Sequence, residues 1–267
     1  MLILAATPLG NLGDASQRLK DALAGADLIV SEDTRVTGKL IKALGIEATA
    51  PMVVANEHSE ADVVERVLEA ALSSTVVFVS DAGMPGISDP GFLVVKAARE
   101  RGVPVSVIPG PSAGVSALAV SGLPTDRFIH EGFVPRKGKS GYFESLVREP
   151  RTMVFFESPH RLAATLREAA GVFGHDRPGC VVRELTKMFE EVAWGTLEEL
   201  AKRFEGGTKG EIVVVIGGHR GDTISLPEAL AWVEALMRGG AKRSDASAEV
   251  AKGTSFSKGE LYRHSLE

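Results

Sequence analysis

The 267-residue chain predicts an α/β protein. Two observations carry that reading. Short β-branched runs alternate with helical patterns through the first half, and the segments leaving the strands are rich in glycine, proline and small polar residues. Alternation of apolar strands with helices implies a mostly parallel sheet covered on both faces, whose ligands bind beyond the carboxyl ends of the strands.

In order, LILAA (2–6) reads as a strand, 16–24 as a helix and DLIVS (27–31) as the second strand. A helix over 37–44 precedes PMVVA (51–55), and a helix over 60–72 precedes TVVFVS (75–80). A helix over 92–101, the strand PVSVI (104–108) and a helix over 112–120 complete the first domain, 1–121. GLPTDRFIHEGFVPRKGKSG (122–141) reads as a junction opening a second domain, 122–221. TMVFFE (152–157), CVVREL (180–185), EEVAWG (190–195) and EIVVVIG (211–217) are its strands, with helices over 159–170 and 197–204; their short spacings imply a mixed sheet. Thr196-Leu197-Glu198-Glu199 forms a capping box, and Ser158-Pro159 places a cap before a first-turn proline. The tail, 222–267, carries three short helices, over 225–237, 244–252 and from Ser257 onward. They make either a helix-turn-helix-like bundle or a helical cap on the second domain.

Composition narrows the function. Hydrophobic residues make 44% and charged residues 24% of the chain, ordinary for a globular protein. A net charge of −5 gives no global attraction to nucleic acid, so any such contact needs a local basic patch. Cys180 is the single cysteine, which leaves no disulfide framework and fits a reducing, cytoplasmic setting. The start, MLILAATPLGNLGD, lacks the leading charge and long apolar core of a signal peptide and reads as a buried strand. Nothing approaches the ~18 apolar residues of a membrane span.

Four loops share the rim: ATPLGNLGD, SEDTR, SDAGMPGISDPG and PGPSAG. Three glycines, two prolines and two aspartates within 80–91 fix backbone shape and let main chain approach a ligand closely. Gly138-Lys139-Ser140 is no phosphate loop, because Phe133 stands where that motif needs glycine. The first loop lacks the dinucleotide fingerprint, no HExxH or clustered His/Cys set marks a metal, and no GxSxG elbow appears. What remains is a glycine-rich backbone with small hydroxyls and carboxylates, suited to a zwitterionic, aromatic small molecule.

ATPLGNLGD, SEDTR, SDAGMPGISDPG, IPGPSA, FFESPHR, RELTK and GEIVVVIG occur in an order that resembles the bacterial 16S rRNA (cytidine) ribose 2′-O-methyltransferases of the tetrapyrrole-methylase-like superfamily. The resemblance covers about residues 2–217 closely and the tail more loosely. It implies two α/β domains with S-adenosylmethionine in the cleft between them, a homodimer, and 16S rRNA within the small ribosomal subunit as substrate. Carried onto this chain, the cofactor residues are Pro8, Ser80, Asp81, Met84, Ser112, Ala113, Phe156, Gly210 and Glu211. No metal is implied.

Transfer to a ribose hydroxyl gains from positioning and from a base. Glu157, His160, Glu184 and Lys187, at or just beyond strand ends, are the candidates. Each has a structural alternative: Glu157 pairing with Arg161 or Arg183, and Lys187 on a solvated edge. A lysine acts as base only with a strongly lowered pKa and otherwise stabilises negative charge. Arg35, Arg136, Lys137, Lys139 and Arg161 are the expected RNA contacts, with Lys242 and Arg243 in the tail. The family commonly carries an arginine pair after its PxK segment, where this chain reads KGKSGYFESL. Two other readings stay open: the same fold methylating a tetrapyrrole or a translation-factor residue, and a non-enzymatic nucleic-acid-binding regulator.

Overall fold

Five parallel strands form the first sheet in the computed structural model, which describes residues 1–56, 59–219, 225–254 and 256–266. They are β1 (Leu2–Ala5), β2 (Leu28–Ser31), β3 (Met52–Val54), β4 (Val76–Val79) and β5 (Val105–Ile108), in the order β3-β2-β4-β1-β5. Helices α1 (Gln17–Ala24), α2 (Thr34–Ala43), α3 (Glu60–Ser73), α4 (Phe92–Glu100) and α5 (Ala113–Val120) alternate with them. Side-chain alternation explains why the strands are apolar throughout. Val76 and Phe78 of β4 pack with Val67, Leu68 and Val94 of α3 and α4 on one face. Val77 and Val79 pack with Leu19, Leu23 and Ile41 of α1 and α2 on the other. Each such side chain contributes roughly 1.5–3 kcal/mol on burial.

The second sheet is mixed, as the short spacings predict. It contains β6 (Phe128–Phe133), β7 (Thr152–Glu157), β8 (Pro178–Arg183), β9 (Glu191–Thr196) and β10 (Ile212–Ile216), in the order β6-β7-β10-β8-β9. Only the β6–β7 pair is parallel. Helices α6 (Lys139–Leu146), α7 (Leu162–Phe173) and α8 (Leu197–Arg203) cover one face through Phe143, Leu166, Phe173 and Leu200. The opposite face receives Ala117 and Leu118 of α5, which pack on Val154, Cys180, Val182 and Val215. The last helix before the expected 121/122 boundary therefore joins both sheets, and the expected 221/222 boundary lies outside the described residues.

Several expectations need correction. The junction at 122–141 contains strand β6 and the start of α6. FIHEGF shows no clear alternation because β6 is a half-exposed edge strand with an irregularity between His130 and Gly132, where Gly132 has a φ of +69°. The second helix starts at Thr34, earlier than 37, because Asp33 caps it through the Arg35 amide at 2.8 Å. Ser158 is not a helix cap: its carbonyl accepts from the Arg161 and Leu162 amides in a turn, and α7 begins at Leu162. The capping box at Thr196 forms as expected.

In the tail, α9 (Leu226–Arg238), α10 (Arg243–Lys252) and α11 (Lys258–His264) bury Ala229, Val233, Ala246, Val250 and Leu261 among themselves. This is a bundle with its own core. Among the described residues no helix is long and apolar enough to cross a membrane.

Candidate active site

The special loops meet as read from their rim positions. Thr7 and Gly83 exchange backbone hydrogen bonds of 2.9 and 3.1 Å, and the Thr7 hydroxyl donates to the Ser80 carbonyl. A Cβ on Gly110 would lie 2.9 Å from that of Ala6, so glycine there lets the loop after β5 settle on the loop after β1. Beyond these strand ends opens a cleft of about 640 Å³. One wall comes from Leu9 and residues 82–84, 87, 89, 109, 110 and 112–115; the other from Phe128, His130, Phe133, 156–159 and 210–213. The lining is mainly apolar with a few polar groups, as expected of a small-molecule site.

Of the expected cofactor residues, Met84, Ser112, Ala113, Phe156, Gly210 and Glu211 line this cleft. Pro8, Ser80 and Asp81 stand behind the lining. Pro8 and Ser80 are buried, and the Asp81 carboxylate accepts from the Asp33 amide at 3.1 Å, tying the ends of β2 and β4 together.

The candidate bases separate. Glu157 borders the cleft, but its carboxylate is turned inward. One oxygen accepts from the Ser158 amide at 2.7 Å, and the other takes the Thr165 hydroxyl at 2.6 Å and the Arg161 guanidinium at 3.2 Å. Both oxygens are thus committed to holding the turn into α7. His160 sits exposed in that turn, outside the cleft lining. Lys187 places its ammonium 2.9 Å from Glu184 and 3.1 Å from Glu211. Partial burial opposes its charge, yet the two carboxylates hold its pKa above the usual lysine range, so it keeps its proton. Glu184 also accepts from the Glu211 amide at 2.9 Å, and that bond and then Lys187 push its pKa down. The aliphatic stem of Lys187 lies against Gly10, where a Cβ would come within 2.6 Å of it. The first loop and the RELTK segment therefore touch across the two sheets.

The basic residues also divide. Arg136 and Lys137 are exposed before α6, and Arg35 is exposed but paired with Asp33 at 2.6 Å. Lys139 is only 13% exposed; it donates to Thr165 and lies 3.8 Å from Glu168. Arg161 donates to the Val134 and Pro135 carbonyls, holding the chain after β6 against α7.

Two cleft residues escaped the sequence reading. His130 on β6 hydrogen-bonds the Ser88 hydroxyl at 2.9 Å, joining the long rim loop to the second sheet, and its ring meets Phe156 edge-on. Partial burial lowers its pKa, opposed by Glu131. Asp89, in the loop ahead of α4, also lines the cleft. The cap of α4 is supplied from α3, where buried Glu60 accepts from the Gly91 and Val94 amides at 3.1 Å each. Partial burial and then the nearby Glu32 carboxylate raise Asp89 to about 6, against the Ser80 hydroxyl, which lowers it.

Two packed α/β layers with a glycine-walled cleft at the strand ends define the class: the chain belongs to the tetrapyrrole (corrin/porphyrin) methylase family, whose model matches residues 1–201. Its relatives narrow the place within that family. It is 47% identical over 253 residues, 94% of this chain and 88% of the relative, to the ribosomal RNA small subunit methyltransferase I of Mycobacterium tuberculosis (strain CDC 1551 / Oshkosh). Identity to the protein of the same name from Escherichia coli O157:H7 is 38%, covering 100% of this chain and 94% of that one. Among solved structures, the fold matches diphthine synthase with a TM-score of 0.61 at 18% identity, covering 85% and 93% of the two chains. It also matches a uroporphyrin-III C-methyltransferase of Thermus thermophilus complexed with S-adenosylhomocysteine, with a TM-score of 0.57 at 22% identity, covering 81% and 96%. The chain is a methyltransferase, and enzymes of this class draw the methyl group from S-adenosylmethionine.

The cleft fits that cofactor. Glycines 83, 110, 114 and 210 keep side chains out of its wall, Met84 and Phe156 offer apolar surface to a purine, and Glu211 offers an anionic oxygen to a cationic ligand.

Proposed function

We propose that this protein transfers a methyl group from S-adenosylmethionine to the ribose 2′-hydroxyl of a cytidine in the decoding region of 16S rRNA. The observation that carries the reading is the glycine-walled cleft between two sheets in a chain whose full-length relatives are small-subunit rRNA methyltransferases. When bound, the cofactor supplies an electrophilic methyl on a positively charged sulfur.

This chain's residues do the rest. Met84, Ser112, Ala113, Phe156, Gly210 and Glu211 hold the cofactor, while Pro8, Ser80 and Asp81 fix the loops behind it. Lys187, kept protonated between Glu184 and Glu211, serves as a fixed positive charge facing the RNA rather than as a base. Arg136 and Lys137 extend that positive surface, and Arg35 joins it where a phosphate displaces Asp33. Glu157, Lys139 and Arg161 shape the wall they brace.

The protein acts in the cytoplasm, on rRNA within the small subunit, as a homodimer. Support for the dimer comes from the sheet face beside α5. Trp194 and Val192 on edge strand β9 pair with Cys180 and Val182 and so share their face, but stand 65% and 41% exposed where α5 no longer covers the sheet.

Labelled S-adenosylmethionine offered with naked rRNA, assembled small subunits or a tetrapyrrole tests the reading. Label is expected on a ribose oxygen of 16S rRNA; label on the tetrapyrrole alone, or nowhere, refutes it.

A further inference from the structure

The long rim loop keeps one carboxylate that the fold does not use. Asp89 stands two residues before Gly91, the residue preceding α4, where an aspartate ordinarily serves a helix start. That need is met by Glu60, which reaches across from α3 to the Gly91 and Val94 amides. The carboxylates on which base candidacy first rested are committed elsewhere: Glu157 to Ser158, Thr165 and Arg161, Glu184 to Lys187 and the Glu211 amide. Lys187 holds its proton. Asp89 lines the cleft from the same loop as Met84 and Ile87, and Ile87 is exposed at its mouth.

We propose that Asp89 is the general base that accepts the proton of the acceptor hydroxyl, with the Ser80 hydroxyl and the neighbouring carboxylates orienting and tuning it. The inference rests on the methyl-transfer reading above. In the step, the acceptor O–H bond breaks and its proton forms a new O–H bond on Asp89. The freed oxygen pair bonds the methyl carbon, the carbon–sulfur pair stays with sulfur, and Asp89 then releases the proton to water.

The surroundings make the assignment chemically apt. The charged and titratable groups around Asp89 are Glu32 and the Asp33–Arg35 pair at the end of β2, Asp81 in its own loop, and Glu60 beneath the start of α4. His130, Glu157 and Glu211 with its partner Lys187 stand across the cleft. A carboxyl raised to about 6 is ionised at neutral pH yet more basic than an ordinary aspartate, the compromise a general base needs.

The test combines kinetics with a readout independent of turnover. In cofactor-free protein, carbon-13 NMR of aspartate carboxyls should show one signal titrating near 6 that disappears in Asp89→Asn. In single-turnover transfer to small subunits, Asp89→Asn should lose ~100-fold or more in rate while calorimetric S-adenosylmethionine affinity stays within about threefold. The wild-type rate should rise with pH to a plateau with a midpoint near 6, and Glu32→Gln should move both the midpoint and the NMR titration to lower pH. An Asp89→Asn rate within threefold of wild type overturns the proposal, as does loss of activity that only tracks lost cofactor binding. So does a wild-type pH profile that Glu32→Gln leaves in place while the NMR titration shifts. Wild-type protein that labels no RNA overturns the methyl-transfer reading and this inference with it, whereas an active wild type with an active Asp89→Asn overturns the inference alone.

Discussion

Asp89 and Glu157 show how differently two acidic residues at strand-end loops are treated by the fold. Sequence spacing puts both near the cleft, but the alternation of β7 turns the Glu157 side chain toward α7 while Phe156 faces the cleft. Truncating Glu157 leaves the Ser158 amide and the Thr165 hydroxyl without their acceptor and takes the counter-charge from Arg161 in a mostly buried network. Glu157→Ala should therefore lower stability by about 3 kcal/mol, readable as a drop in the urea midpoint. Glu157→Gln should retain part of both stability and transfer; a complete loss of transfer with a normal melting curve would give Glu157 a chemical role instead. Asp89 behaves oppositely. Its folded pKa of about 6 exceeds the roughly 3.9 of an unfolded aspartate, so the folded state binds the proton more tightly. Stability from this group is present below the unfolded value and is lost as pH rises through the folded one. Asp89→Asn should accordingly raise the melting temperature at pH 7–8, with the gain fading toward pH 4, a stability gain at the expense of activity. The sequence could not separate these two residues, because the difference lies in which neighbours each carboxylate meets across the fold. Met84 lines the cleft from a loop whose shape follows from local glycines and prolines.

At the scale of elements, what was legible followed from burial. Strands β1, β2, β4 and β10 are apolar on both faces and stand within a residue or two of their expected positions. Strand β6 was hidden because its pattern reports its job: Phe128 and Phe133 point at the cleft rather than a core, and His130 reaches Ser88. The starts at Ser16, Thr196 and Ser257 follow from local caps. Helix α4 starts at the expected residue 92 although its cap is remote, whereas α2, capped locally by Asp33, starts three residues before its expected position. Glu60 on α4 is the clearest remote case, since 31 residues separate it from Gly91. Glu60→Ala removes the acceptor of two helix-terminal amides and should destabilise the protein by about 1–2 kcal/mol. Because α4 follows directly from the loop that carries Met84 and Asp89, calorimetry should also show weaker cofactor binding. Unaltered affinity in a destabilised Glu60→Ala protein would mean that the loop keeps its shape without the helix start.

For the molecule as a whole, the division of labour between the sheets is set by what each leaves uncovered. The first sheet has helices on both faces, as a parallel sheet requires, and leaves only its carboxyl-end loops for function. The second has α6, α7 and α8 on one face and α5 alone on the other, so the β9 end of that face stays bare. Trp194 and Val192 there are 65% and 41% exposed. Met188 and Phe189 add further exposed apolar surface just before β9. Exposed apolar residues gathered at one sheet edge mark a candidate interaction site, and a stable dimer buries roughly 1,200–2,000 Å² in total. The homodimer proposed above would place a second copy of the chain on this face. Trp194→Lys places a charge where a large aromatic would be desolvated and should cost ~2 kcal/mol or more of association. Light scattering across a dilution series should then give twice the chain mass for the wild type and a monomer for the variant at micromolar concentration. A wild type that stays monomeric throughout, or a Trp194→Lys protein as dimeric as its parent, removes β9 from the interface. Should the variant monomer also lose methyl transfer while still binding S-adenosylmethionine, the partner copy would be supplying RNA-binding surface, and mixing it with a transfer-dead Asp89→Asn chain would restore activity only where mixed dimers form.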